Sequence, residues 1–246
     1  MKHEECKRYL NKMGSSASCV KCPPTYDPTQ VKKLFPVIND AKTLKEYIEY
    51  AKKNNHYELI KEKFVKDNVI SVNDVLTTGD KPFNIFARIV SGDTKHDVDQ
   101  SLLGEYSERF VVCHNRPAND ENWNNRDFPS GSMAGPDDSG PGHVFITTKN
   151  LKYHRFNILP IILENDVQYV SDLLLAAIKY TVNRNWTKPG FYFHCYPHNS
   201  VQSLHLHVLN MDNVGPWFKA QEYKNLNIYD VLSVMEVPRN PYYAFM

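Results

Sequence analysis

Val201-Gln202-Ser203-Leu204-His205-Leu206-His207-Val208-Leu209 is the stretch on which the reading of the chain turns. Side chains alternate across a β-strand, so Ser203, His205 and His207 share one face and Leu204, Leu206 and Val208 the other. The apolar face can anchor in a core while the imidazoles stand over a cleft. Alternate residues of a strand lie about 7 Å apart, a spacing that suits metal ligation or one nucleophile with an orienting partner. For two histidines taken alone, a polar strand face open to water is the plainer alternative.

The segments around this strand frame it. Phe191-Tyr192-Phe193-His194-Cys195-Tyr196 reads as a preceding strand, entered through a Pro189-Gly190 turn and joined to it by Pro197-His198-Asn199-Ser200. Residues 164–183 form the clearest helix. Val167, Val170, Leu174, Ala177, Ile178 and Thr181 follow the helical period, with Asn165 or Asp166 placed to cap. Gly142-His143-Val144-Phe145-Ile146-Thr147-Thr148 is rich in β-branched and aromatic residues and reads as another strand.

Residues 118–141 are dominated by Asn, Asp, Gly, Pro and Ser and form a long loop. Upstream, residues 83–90 and 107–113 suit strands or a short helix feeding a strand. Residues 41–67 place Leu44, Tyr47, Ile48, Ala51, Leu59 and Phe64 at helical spacings, with Thr43 as a cap. The first 35 residues are polar and irregular, and are expected as a flexible arm or small tethered element. A short helix is expected at 228–235, and the chain has no internal repeats.

Composition narrows the classes. The chain has 246 residues with 29 Lys+Arg against 28 Asp+Glu, a net charge of +1, which excludes a strongly basic nucleic-acid binder and an acidic disordered chain. A small nucleotide ligand fits this balance, because it needs a few local donors rather than a broad basic face. The longest apolar stretches, 159–163 and 173–178, fall far below the roughly 20 residues that cross a bilayer. The start of the chain lacks the apolar run of a secretory signal, and an odd count of 5 cysteines favours reduced thiols, hence a cytoplasmic or nuclear setting.

The histidine strand and its surroundings resemble the histidine triad superfamily of nucleotide-binding proteins. Asn84-Ile85-Phe86-Ala87-Arg88-Ile89-Val90-Ser91-Gly92 looks like that family's opening signature, and Gly142 to Lys149 looks like its Gly-His strand. Residues 193–209 look like its strand-turn-strand, closest to the third-branch nucleotide-binding proteins, with scavenger decapping enzymes and aprataxin more distant. The likeness covers roughly residues 82–212. It implies that His205 is the nucleophile, that His207 polarises the phosphate or helps the leaving group, and that Ser200 binds phosphate. His143 matches the Gly-His histidine, and the motif's first histidine falls on Ser203. The galactose-1-phosphate uridylyltransferase branch also varies its triad yet remains active. The resemblance implies no cofactor and no metal.

Further candidates are weaker. His194 is either a second cleft residue or a hydrogen-bonded structural histidine, and His198 in the turn is expected to be exposed. Lys149 matches a family lysine but reads as solvated. Phe83 and Phe86 are base-wall or core residues. His114 falls near the position where relatives hold ribose hydroxyls with an acidic residue. Cys19-x-x-Cys22 with Cys6 and His3 has the donors of a zinc site, although a single CxxC is a weak signal. Cys113 and Cys195 read as small core residues.

The expectation is therefore an α+β fold: a histidine-triad-like, mainly antiparallel sheet with a packed helix. Residues 1–80 form a partly helical N-terminal extension, 81–215 the sheet domain with its loop at 118–141, and 216–246 a C-terminal extension. The expected function is nucleotidyl hydrolysis or transfer on a nucleotide conjugate, with Ser200, Ser203, His143 and His194 binding substrate around His205 and His207. The alternatives are a nucleotide-binding or scaffolding protein with an inactive triad, and a metal hydrolase using His205, His207 and His194. No membrane partner is expected, and a homodimer is permitted.

Overall fold

The computed structural model describes residues 27–56, 58, 98–115, 142–150, 158–199, 204–213 and 216–235. In chain order these form α1 (Pro28–Leu34), α2 (Ala41–Lys53), a 3-10 helix (Gln100–Glu108), β1 (Phe110–His114), β2 (His143–Thr148), α3 (Ile158–Leu163) and α4 (Val167–Asn183). Then come β3 (Pro189–His194), β4 (His205–Asn210), α5 (Pro216–Ala220), β5 (Asn225–Asn227) and α6 (Ile228–Val234). The strand or short helix expected at 83–90, the loop at 118–141, the Cys6/Cys19/Cys22 cluster with His3, Phe83, Phe86, Ser200 and Ser203 lie outside the described residues.

The fold is α+β, with a five-stranded sheet in the order β1-β2-β4-β3-β5. Every neighbouring pair is antiparallel. Ile146 lies opposite Leu206, Val144 opposite Val208, and Phe191 opposite Val208 from the other side. This register puts Val112, Ile146, Leu206, Val208, Phe191, Phe193 and Leu226 on one face. There they join one buried cluster with Tyr169, Val170, Leu173 and Tyr180 of α4 and Leu44, Tyr47 and Ile48 of α2. Burial of that many large apolar side chains, each contributing about 1.5–3 kcal/mol, fixes which face of β4 turns inward. A slip of one residue would bury the imidazoles among the helices and expose the leucines.

The helices begin where their caps dictate. Asp166 caps α4 by accepting from Tyr169 N at 3.2 Å, while Asn165 takes a left-handed φ of 55° that an Asn tolerates. For α2 the expected cap, Thr43, is corrected to Asp40. Asp40 Oδ1 accepts from Thr43 N at 2.7 Å, and the Thr43 hydroxyl accepts in turn from Asp40 N, a capping box that starts the helix three residues earlier. Within the stretch expected as an irregular arm or small tethered element, residues 28–34 are helical. Asp27 caps α1 through Thr29 N, Pro28 opens it, and buried Val31 anchors it.

The expected Pro189-Gly190 turn is instead the start of β3, because Pro189 and Gly190 pair with Asn210 and Leu209. A Cβ on Gly190 would come within 2.6 Å of Met211 Sδ and of the Tyr192 ring, so close packing there requires glycine. Cys195 and Tyr196, expected in the strand, follow it. Within residues 216–235, β5 adds to the sheet by pairing with β3, and α6 packs on α2 and α4. On the outer side of β1 the Gln100 side chain acts as a one-residue strand. Its Nε2 donates to Val112 O at 2.9 Å, and its Oε1 accepts from Val112 N at 2.9 Å.

Candidate active site

The other face of the sheet carries the histidines. His205 and His207 project from β4, with Thr147 and Phe145 opposite them on β2 and Tyr192 opposite His207 on β3. The same alternation brings His143 of β2 and His194 of β3 onto this face. His207 is the hub. Its ring centroid lies 5.2 Å from His143, 4.3 Å from His194 and 4.8 Å from His205. His205 is half-buried and stands edge-on to Phe145 at 5.9 Å. Leu204, the residue just before β4, is held by Thr147 Oγ1, which donates to its carbonyl oxygen at 2.6 Å.

Hydrogen bonds orient the rings of His143, His207 and His194. His143 Nε2 and His207 Nδ1 share a proton across 3.0 Å, and the Asn115 amide nitrogen lies 3.1 Å from each ring nitrogen of His143. His194 Nε2 donates to Asn225 Oδ1 at 3.0 Å. The Asn225 amide nitrogen donates in turn to Phe218 O at 3.4 Å, which fixes which end of that amide faces the ring. His207 Nε2 is buried and meets no hydrogen-bond partner among the described residues.

Burial governs the charge state. It pushes the His143 pKa from an ordinary 6.5 down to about 3, helped by the nearby His205. His194 and His207 are also held well below the ordinary value by burial. Lys224 and the neighbouring imidazoles add to this for His194, and the surrounding imidazoles and then Lys224 for His207. All three rings are therefore neutral near pH 7.

This has a consequence for stability. Above pH 6.5 the folded and unfolded forms of His143 are both neutral, but below it only the unfolded form takes a proton until about pH 3. Stability is thus full above the unfolded pKa and drains on acidification, by up to about 1.4 kcal/mol per pH unit for one such group. His194 and His207 act in the same direction. Urea midpoints should fall clearly between pH 7.5 and pH 5, and a midpoint that holds or rises on acidification contradicts this account.

The structure gathers His143, His194, His205 and His207 and separates the remaining candidates. His198, expected to be exposed, is half-buried: its Nε2 donates to Phe35 O at 2.7 Å and its ring meets Tyr223 edge-on. It ties α1 to the turn preceding β4. His114 pairs with Val144 and so falls on the opposite face of the sheet. It is Asn115, one residue on, that reaches the cluster. Lys149 is exposed and donates to Ser107 O, and Cys113 and Cys195 are buried, burial raising the Cys195 thiol pKa. The His205–His207–His194 metal set is not formed: among the described residues no three His, Cys, Asp or Glu side chains are placed to hold a metal ion. No described helix is long and apolar enough to cross a membrane.

Asn115 and Asn225 are the site residues that sequence patterns missed. Asn115 had a usable signal, because positions 111, 113 and 115 alternate onto one face if β1 is extended by a residue. Asn115 N does continue that ladder to His143 O at 3.1 Å. Asn225 sits on a three-residue strand too short to show a period. Comparison with known proteins adds no relative: no family model, curated protein or solved structure matches the chain.

Proposed function

We propose that the chain is a nucleotidyl hydrolase or transferase of the histidine triad type, acting through a nucleotidyl-His205 intermediate. The observation that carries the reading is the pairing of a partly exposed histidine, His205, with a buried neutral one, His207, that keeps a ring nitrogen without a partner among the described residues. An unprotonated ring nitrogen of His205 attacks the α-phosphorus in line. A P–N bond forms, the bond from phosphorus to the leaving oxygen or nitrogen breaks, and the leaving group departs with the electron pair and gains a proton. Water then attacks the same phosphorus, the P–N electrons return to His205, and the water proton passes to solvent. Splitting one substitution into two is the gain from covalent catalysis. Positioning and charge stabilisation, here from His207, do the rest.

Substrates of this class carry a nucleoside monophosphate on a phosphate, an amine or a sugar phosphate, and a methylated cap dinucleotide is a narrower case. The test is incubation with a panel of nucleoside phosphoramidates and dinucleoside polyphosphates. Release of the nucleoside monophosphate, insensitive to chelator, supports the reading. Ser203 in place of the motif's first histidine favours a second reading, a nucleotide-binding module, for which tight AMP or GMP binding without product is the signature. Ser203→His separates the two. Turnover on the best substrate should rise several-fold if the missing histidine limits the site, and unchanged turnover shows that it does not.

A further inference from the structure

We infer that Asn225 is a positioning residue that locks His194 in one tautomer. His194 then brings a lone pair at Nδ1 to the histidine cluster, and receives a hydroxyl, an amine or a water molecule there rather than a phosphate oxygen. Asn225 is buried and is the direct cross-strand partner of His194 where β5 pairs with β3. Its Oδ1 lies 3.0 Å from Nε2 of the ring. The other end of the amide fixes its orientation, because Nδ2 donates to Phe218 O at 3.4 Å and the reverse orientation would set two acceptor oxygens against each other. An amide oxygen can only accept, so His194 Nε2 carries the proton.

A neutral imidazole holds one N–H, and with that proton on Nε2 the other nitrogen, Nδ1, is bare. Burial above all, then the charge of Lys224 and the neighbouring imidazoles, keeps the ring neutral near pH 7. The ring plane is set as well, since the His207 ring lies against it at 4.3 Å between centroids and 38° between planes. Among the described residues Asn225 is the one hydrogen-bond partner of the His194 ring, and it engages Nε2. A lone pair repels an anionic oxygen and accepts from an O–H or N–H, so Nδ1 suits water, a sugar hydroxyl or an amine leaving group. Phosphate contact then falls to other groups of the cluster. The ligand assignment rests on the nucleotidyl-transfer reading of the site, and the tautomer does not.

The test is long-range ¹H–¹⁵N correlation of the histidine side chains in the full-length protein at pH 7.5, which tells protonated from bare ring nitrogens. The expected His194 pattern is protonated Nε2 with bare Nδ1. A bare Nε2, or protons on both nitrogens, overturns the proposal. Asn225→Leu should move the two ring signals part-way toward each other as both tautomers become populated. An unmoved pattern in that folded variant overturns the role of Asn225. Should Asn225→Leu not fold, Asn225→Ala is read the same way. Saturation with AMP should leave Nδ1 bare, and a proton gained at Nδ1 means that the ring serves the phosphate and overturns the ligand assignment. AMP that fails to bind removes the nucleotide reading and the ligand assignment with it, while the spectrum of the free protein still decides the tautomer.

Discussion

His205→Ala should cut nucleotide release by roughly 10³-fold or more while leaving the thermal midpoint within a few degrees of the parent. Loss of a nucleophile removes the covalent route, and what remains is binding and polarisation by the surrounding donors. The side chain is half-buried and its described ring contacts are to Phe145 and His207, so its removal opens no core cavity. His205→Asn should behave alike, because an amide matches the size of the ring's near side but cannot take the phosphoryl group. The readouts are single-turnover assays and trapping of the labelled intermediate after acid-free denaturation, since a phosphorus–nitrogen bond is acid-labile. Unchanged turnover by either variant on a substrate that the parent cleaves ends the His205 mechanism.

Leu206→Ala, one residue away, should do the reverse in its first effect. Leu206 is fully buried on the helix-facing side of the sheet, opposite Ile146. Truncating a leucine in such a position costs about 2–5 kcal/mol, part lost transfer energy and part the cavity left behind. At about 2–4 °C per kcal/mol for a chain of this size, the melting temperature should drop by roughly 5–15 °C. Substrate turnover per folded molecule at low temperature should change little. If the two variants exchanged their phenotypes, the register of β4 would be wrong by one residue.

That register was the most legible feature of the sequence, and its legibility has a physical cause. A strand with one buried face must alternate, and Leu204, Leu206 and Val208 interleaved with His205 and His207 admit no other period. The α4 helix was equally plain, because seventeen residues give a 3.6-residue pattern room to repeat. What stayed hidden was set by contacts distant in sequence. Nothing in residues 225–227 announces a strand, which exists because β3 offers an edge to pair with. His198 looks like a solvated turn residue until Phe35, 163 positions earlier, supplies its acceptor. Asp40 and Thr43 each qualify as a cap by type, and only the helix start decides between them. Of the site, the strand pair was readable from alternation, His143 from the resemblance of its Gly-His strand, and His194 as one of two open readings. The amides that orient the flanking rings were not, because an Asn carries no periodic signal.

The side-chain amide of Gln100 bears on self-association. A sheet grows by offering the outward N–H and C=O of its last strand to a newcomer, and an open edge is where identical chains join or aggregate. At the centre of β1 both of those groups, on Val112, are already taken by a single side chain. A second copy adding a strand there would have to break two hydrogen bonds before making any. Strand addition at the centre of β1 is therefore disfavoured, and one glutamine supplies that bias.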